Sequence, residues 1–203
     1  MILRATLAVL AALVLSACGS GAGSGARALP DADLYDRVIS AKVVRVGVKS
    51  DTPPFGFQQG EAWFGFDVEV ALALFQEMGI DNVVFVPVTS ANRMEKLAKN
   101  EVDCVVASMT ITRTREKTVD FSIPYFQDGQ ALMVKADSPI QSYLDLGSKK
   151  VGAVKGSTSA ANMNQVAPEA QIVQFGSFQD LGKALDEGKV CLLYTSDAAD
   201  EED

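Results

Sequence analysis

The feature that most constrains the fold is an alternation of short apolar runs with helical segments along most of the chain. Residues 43–48 form a β-branched run typical of a buried strand, and residues 66–78 form a helical pattern that ends at Gly79, a C-cap residue. Further strands are predicted at 83–86, 102–107, 130–135, 150–154 and 172–175, and further helices at 92–99, 112–117, 157–165 and 178–187. Strands that alternate with helices predict a parallel sheet with helices on both faces, so the fold class is α/β.

The alternation restarts in the second half of the chain. Turn residues at 127–129 precede an extended stretch, and a new strand–helix series begins at Lys150. The sequence therefore predicts two α/β lobes in series, with lobe 1 at residues 43–130 and lobe 2 at residues 131–190.

Composition excludes several kinds of chemistry. The 203 residues include no histidine, which rules out Ser-His-Asp and Cys-His catalysis and histidine-ligated metal sites. The three cysteines, at 18, 104 and 191, are too far apart for a zinc knuckle. With 18 basic against 26 acidic residues the net charge is −8, which would repel a phosphate backbone. We expect no metal, no cofactor and no nucleic-acid partner.

The N-terminus indicates an extracytoplasmic protein. Residues 1–17 hold Arg4, then an apolar run and small residues, the layout of a secretory signal; a buried core helix is the less favoured alternative because no amphipathic face is visible. The residues before Cys18 resemble a lipobox, which implies cleavage before Cys18 and its acylation. Residues 18–42 are then the lipidated cysteine and a flexible tether, rich in Gly and Ser at its start. The predicted location is lipid-anchored, in the periplasm or on the cell surface.

The C-terminus departs from the periodic pattern after Val190. Residues 191–203 are acidic without a basic residue, and they resemble the translated adapter of a sequencing library; a genuine acidic tail is the alternative. The sequence thus predicts that the pattern of lobe 2 breaks off at Val190.

Polar residues follow three of the predicted strands, at 48–51, 107–115 and 154–159. Ligands of open α/β sheets bind at the carboxyl ends of the strands. Two of these stretches also start a helix, so they offer unpaired N–H groups, a positive dipole end and hydroxyls to an anion. Arg115 adds a planar guanidinium that can bind a carboxylate through two hydrogen bonds. Each feature alone is common in helix caps and solvated arginines, so the prediction rests on one such loop in each lobe.

Three motifs in order carry a family resemblance. Residues 65–70 read G-F-D-V-E-V, residues 110–115 read T-I-T-R-T-R and continue to D-F-S-I-P-Y, and residues 156–158 read G-S-T. Residues 43–189 resemble the solute-binding proteins of polar amino-acid ABC transporters, family 3. Phe75 and Arg113 depart from the usual pattern, where a small residue and a proline are common.

The resemblance implies a type II periplasmic-binding-protein fold, in which two α/β lobes joined by two crossover strands close on an amino acid like a hinged trap. It implies that Arg115 binds the α-carboxylate, that Ser108 and Thr110 add hydrogen bonds, and that Ser157 and Thr158 approach from the other lobe. It also implies a monomer that is not an enzyme and that delivers its ligand to an ABC permease and its ATPase. Members of the family continue after Val190 with a further strand, an acidic residue for the α-ammonium and the second crossover, so the resemblance implies that this sequence is a fragment whose second lobe is incomplete.

Two further cations predict the ligand. Lys49 and Arg93 match positions that are cationic in the glutamate/aspartate-binding branch of the family, and with Arg115 they would place three positive charges around one cleft. The ligand predicted is glutamate or aspartate, with glutamine as the nearest competitor. The alternative is that Lys49 or Arg93 points to solvent or pairs with Asp51 or Glu95. A dehydratase-type enzyme and a sensor ectodomain on the same fold stay open as other functions.

Overall fold

The computed structural model describes residues 32–195. The predicted signal peptide at 1–17, the predicted lipidation of Cys18 and the acidic end at 196–203 lie outside the described residues. Those interpretations therefore stay predictions.

The first lobe is built around a three-stranded parallel sheet of order β5-β1-β6. Its elements are α1 (Ala32–Ala41), β1 (Val43–Lys49), β2 (Asp51–Thr52), β3 (Gly56–Gln59), β4 (Ala62–Phe64), α2 (Phe66–Glu77), β5 (Asn82–Val88), α3 (Arg93–Ala98), β6 (Cys104–Val105) and α4 (Arg113–Glu116). Strands β2, β3 and β4 form a separate small antiparallel sheet.

The second lobe contains a four-stranded sheet of order β7-β10-β8-β9, in which β10 pairs antiparallel with β7 and the other pairs are parallel. Its elements are β7 (Ala131–Val134), a 3-10 turn (Tyr143–Asp145), β8 (Lys150–Val154), α5 (Ser159–Val166), β9 (Gln171–Phe175), α6 (Phe178–Asp186) and β10 (Leu192–Thr195).

The central strand β1 of the first-lobe sheet is buried along most of its length. Four consecutive residues at its end, from Val46 to Lys49, are buried, because helices cover both faces of a parallel sheet. Helix α2 packs on β1 and ends in a Schellman motif: Ile80 N–H donates to the Phe75 carbonyl, Gly79 N–H donates to the Gln76 carbonyl, and Gly79 has a φ of 68°. The predicted C-cap of this helix is confirmed.

Two sequence expectations are corrected. Residues 32–41, predicted as part of a flexible tether, form helix α1, because this part of the segment lacks glycine and carries Val38, which is 6% exposed in the first-lobe core. The periodic pattern was expected to stop at Val190, but Leu192–Thr195 forms β10 between β7 and β8. The run L-L-Y-T consists of strand-forming residues, and its backbone fills the gap between two strand edges. Whether residues 191–203 derive from an adapter stays a prediction.

An ion pair ties α1 and β1 to the loop before β6. The Asp103 carboxylate accepts hydrogen bonds from the Arg45 backbone N–H (2.8 Å) and from Arg45 Nη2 (2.7 Å), and it also pairs with Arg37. Burial alone would raise the pKa of Asp103, but the hydrogen bonds from Arg45 and Arg37, together with the charge of Arg45, outweigh burial and lower it.

Replacing Asp103 with asparagine is expected to lower the free energy of unfolding at pH 7 by about 2 kcal/mol, the scale of hydrogen bonds to a charged group. Because the folded-state pKa is lowered, this stabilisation is present above the unfolded pKa of about 3.9 and is lost as the pH falls through the folded value. Urea unfolding of wild type and Asp103→Asn between pH 3 and pH 7 measures the difference. Glu95→Gln, in an exposed pair with Lys99, is the control and should change little. The difference should shrink as the pH falls below about 4, and a difference that stays constant between pH 5 and pH 3 would contradict the assignment.

Candidate functional site

The predicted site residues come together where the two lobes face each other. From the first lobe come Lys49 at the end of β1, Arg93 at the start of α3 and the stretch from 108 to 115, which follows β6. From the second lobe come the loop after β8 and the start of α6. Both sheets therefore present the carboxyl ends of parallel strands to one cleft, as the sequence predicts.

Arg115 spans the cleft between the lobes. The hydroxyl of Thr112, the N-cap of α4, accepts a hydrogen bond from the Arg115 backbone N–H (3.2 Å). The Arg115 guanidinium donates from Nη1 to the Thr110 carbonyl (2.7 Å) and from Nη2 to the Gly156 carbonyl of the second lobe (2.9 Å). Its plane is thus fixed by one acceptor in each lobe.

Arg93 is a buried cation. Its residue is 1% exposed, and Nη1 donates to the carbonyls of Ala107 (2.6 Å) and Ser108 (3.1 Å). Glu95 pairs instead with Lys99. The alternatives in which Arg93 points to solvent or pairs with Glu95 are therefore wrong, and its guanidinium holds the backbone of the loop after β6.

Lys49 is buried as well, at 1% exposure, so the solvent-facing alternative is wrong for it too. Its Nζ lies 4.9 Å from the centroid of the Phe178 ring, which belongs to α6 of the second lobe. This distance is within the range of a cation–π contact. Sequence reasoning missed Phe178, since an aromatic residue in the first turn of a helix is indistinguishable from a core residue.

Asp67 holds two site residues in place through hydrogen bonds to its carboxylate. Its carboxylate is fully buried and accepts hydrogen bonds from the hydroxyls of Ser108 (2.8 Å) and Tyr125 (2.9 Å). Burial, together with the charge of Asp67, raises the pKa of Tyr125, so the phenol stays a donor. Ser108 itself has a φ of 46°, in the left-handed region. The signal that could have found Asp67 is a carboxylate among the apolar positions of the buried face of α2.

The second-lobe loop is a tight turn closed by Ser157. Both its N–H (3.2 Å) and its hydroxyl (2.7 Å) donate to the Val154 carbonyl. Thr158 is the N-cap residue of α5, and its hydroxyl accepts a hydrogen bond from the side-chain amide of Gln130 (3.4 Å), the residue before β7. Ser108 and Thr110 accept hydrogen bonds from Arg93 and Arg115 through their carbonyls, and Ser157 and Thr158 directly follow Gly156, which lies against the first lobe. The role of these four residues in binding a ligand stays a prediction.

The lobes also lie close together at Gly156. This residue has a φ of 83°, and a Cβ atom there would lie 2.5 Å from the Ser90 carbonyl oxygen and 2.6 Å from the Ala91 Cα, both in the first lobe. Together with the contacts of Arg115 and Lys49, this approach shows that the lobes lie in a closed arrangement.

Three further observations concern metal binding, membrane spans and the reactivity of the buried cysteine. Among residues 32–195, no cluster of three or more cysteine, aspartate and glutamate side chains could hold a metal ion. Within the same range, no helix is long and apolar enough to span a membrane. Burial, with a contribution from Asp103, raises the pKa of Cys104 to about 12, so this thiol is unreactive at neutral pH.

The sequence is similar to several characterised binding proteins. It is 38% identical over 201 residues to the ABC transporter glutamine-binding protein GlnH of Bacillus subtilis, covering 96% of this chain and 73% of that protein. It is 41% identical over 160 residues to the glutamine-binding protein of Geobacillus stearothermophilus, covering 75% of this chain and 60% of that protein. The glutamate-binding protein GluB of Corynebacterium efficiens is 32% identical over 197 residues, covering 93% of this chain and 64% of that protein. The chain thus spans between 60% and 73% of the length of these relatives.

Solved structures share the fold. The ancestral amino acid-binding protein AncCDT-1, a precursor of cyclohexadienyl dehydratase, has a TM-score of 0.74 at 34% identity. The match covers 79% of this chain and 72% of that chain. An ancestral arginine-binding protein bound to glutamine has a TM-score of 0.71 at 37% identity, and the match covers 76% of this chain and 69% of that chain. These similarities confirm the predicted α/β fold of the type II periplasmic binding proteins. Residues 44–193 also match the sequence model of one family, so this chain belongs to the bacterial extracellular solute-binding proteins, family 3.

Proposed function

We propose that this protein binds an amino acid between its lobes and delivers it to an ABC permease that is driven by its ATPase. The observation that carries the proposal is the guanidinium of Arg115, which is held in one plane by Thr110 and by Gly156 of the opposite lobe. A planar donor group fixed in this way is suited to a carboxylate. The relatives named above support an amino-acid ligand, because by name they bind glutamine or glutamate.

The closed arrangement supports a hinged-trap mechanism. The cationic residues and most of the polar ones belong to the first lobe, so the ligand would bind there first. Contacts with Ser157 and Thr158 would then form only in the closed state, which shifts the equilibrium between open and closed forms towards closure. The closed form is the one that the permease would recognise.

We further infer that the ligand is acidic, glutamate or aspartate. Lys49 and Arg93 are each 1% exposed, and together with Arg115 they concentrate positive charge at the cleft. Three cations at one cleft make its potential positive, and a positive potential favours a ligand with two carboxylates over one with a single carboxylate. Glutamine is the nearest competitor, since two of the relatives are glutamine-binding proteins.

Arg93→Ala is expected to weaken glutamate binding at least about tenfold more than glutamine binding, because a glutamate side chain loses an ion pair and an amide does not. Titration calorimetry with both amino acids measures the two losses. Arg93→Gln keeps hydrogen-bond donors but removes the charge, so it replaces the alanine variant if thermal unfolding shows that Arg93→Ala does not fold. Lys99→Ala, an exposed cation one residue after α3, should change neither affinity. Equal losses for the two amino acids in Arg93→Ala would contradict the acidic assignment.

We also propose that the protein is anchored outside the cytoplasm by lipid on Cys18. The support is the sequence alone: a signal-like segment, the small residues before Cys18 and the Gly/Ser-rich stretch after it. Mass spectrometry of the mature N-terminus decides this, because an unmodified Cys18 would contradict the anchor.

An enzyme on the same fold is the second candidate, and one observation favours it. One similar structure is described as a precursor of cyclohexadienyl dehydratase. A dehydratase needs an acid–base group at the cleft, and Lys49 or a carboxylate such as Asp67 would have to serve. Recovery of the bound compound unchanged separates a binding protein from an enzyme.

A further inference from the structure

Phe178 contacts a charged group across the cleft. Its ring centroid lies 4.9 Å from the Lys49 ammonium, although Lys49 ends β1 in the first lobe and Phe178 begins α6 in the second. A contact between two lobes forms when the lobes close and breaks when they separate. The pair therefore belongs to the closed state.

The Lys49 ammonium is nearly removed from water. The residue is 1% exposed, and an ammonium in such a place needs interactions that replace its hydration. The negative face of an aromatic ring supplies one of them, and it does so more strongly where water is excluded.

The position of the ring is set by its own lobe. The Ser177 hydroxyl caps α6, accepting from the Asp180 N–H (3.1 Å) and donating to the Asp180 carboxylate (2.8 Å). Phe178 also packs against the second-lobe core that includes Leu181, which is fully buried. The ring is thus presented to Lys49 by a capped and packed helix end.

We propose that Phe178 is a specificity-determining residue: on closure its ring excludes water from the Lys49 ammonium and holds the ammonium in place by a cation–π contact, which strengthens binding of an anionic ligand group over its neutral amide. This inference rests on the proposed function. An ion pair gains strength as its surroundings become less polar, whereas a hydrogen bond to an amide gains less. The ring thus improves discrimination without touching the ligand carboxylate.

The test compares glutamate and glutamine affinities of the full chain by titration calorimetry. Phe178→Leu keeps an apolar side chain and removes the ring, and we expect its glutamate affinity to fall about tenfold more than its glutamine affinity. The matched control is Phe175→Leu, which alters another aromatic residue packed on the same second-lobe core. The control should leave the ratio of the two affinities unchanged.

A double-mutant cycle assigns the effect to the pair. In the Lys49→Met background, Phe178→Leu should no longer change the ratio of the two affinities. A series of fluorinated phenylalanines at 178 keeps the shape and weakens the negative face, so discrimination should fall stepwise with fluorination. An unchanged ratio in Phe178→Leu, or an effect that survives in Lys49→Met, overturns the inference while amino-acid binding stands. A wild-type chain that binds no amino acid overturns the proposed function itself, and the inference with it.

Discussion

Replacing Gly156 with valine is expected to keep the lobes apart and to reduce amino-acid affinity at least about 100-fold, or about 2.7 kcal/mol. A Cβ atom at this position would lie 2.5 Å from the Ser90 carbonyl oxygen and 2.6 Å from the Ala91 Cα. Both of those atoms are backbone atoms of the other lobe, so rotating a side chain cannot relieve the clash. Separating the lobes relieves it, at the expense of every ligand contact from the second lobe. Calorimetry and the radius of gyration with ligand present measure the two effects.

The control for Gly156→Val is Gly188→Val. Gly188 lies in the same lobe and has a φ of 71°, close to the 83° of Gly156, but a Cβ atom there would meet open space. The control variant therefore carries similar backbone strain without the clash between lobes. We expect it to lose stability and to keep ligand affinity. Equal loss of affinity in both variants would show that backbone strain, not blocked closure, explains the result.

The parts of the fold that the sequence predicts are those determined by local pattern. The Val-rich run of β1, the glycine that ends α2 and the Thr112 cap of α4 are each set by residues within a few positions of one another. The site residues at strand ends also follow, because parallel strands bring their carboxyl ends to one edge of a sheet.

The parts that the sequence does not predict depend on distant partners or on very short elements. Strands β2 to β4 have two to four residues each, too few for a periodic pattern, and α1 lies next to a segment rich in Gly and Ser. Burial of Lys49 and Arg93 required the structure, because nothing in the local sequence separates a buried cation from a solvated one. The same holds for the contact of Phe178 with Lys49 and for that of Gly156 with Ser90 and Ala91, in which the partners lie more than 60 residues apart in sequence.

Arg115→Lys is expected to lower the binding affinity for every amino acid about 100-fold or more, although the variant keeps the positive charge. The guanidinium donates to the Thr110 carbonyl and to the Gly156 carbonyl of the other lobe, and its planar shape matches a carboxylate such as the ligand α-carboxylate. A lysine ammonium has no such plane, so it cannot hold both lobes and a carboxylate together. Arg113→Lys, at an exposed position of the same helix, is the matched control and should bind normally.

The pattern of losses separates Arg115 from Arg93. All amino acids share the α-carboxylate, so Arg115→Lys should lower the affinities for glutamate and glutamine by the same factor. Arg93→Ala should lower mainly the affinity for glutamate. Because Arg115 also donates to the Gly156 carbonyl, ligand-bound Arg115→Lys should show a larger radius of gyration than wild type. A loss of affinity for glutamate alone would show that Arg115 does not bind the α-carboxylate. Wild-type affinity in Arg115→Lys would show that charge alone suffices and that the fixed plane contributes nothing to binding.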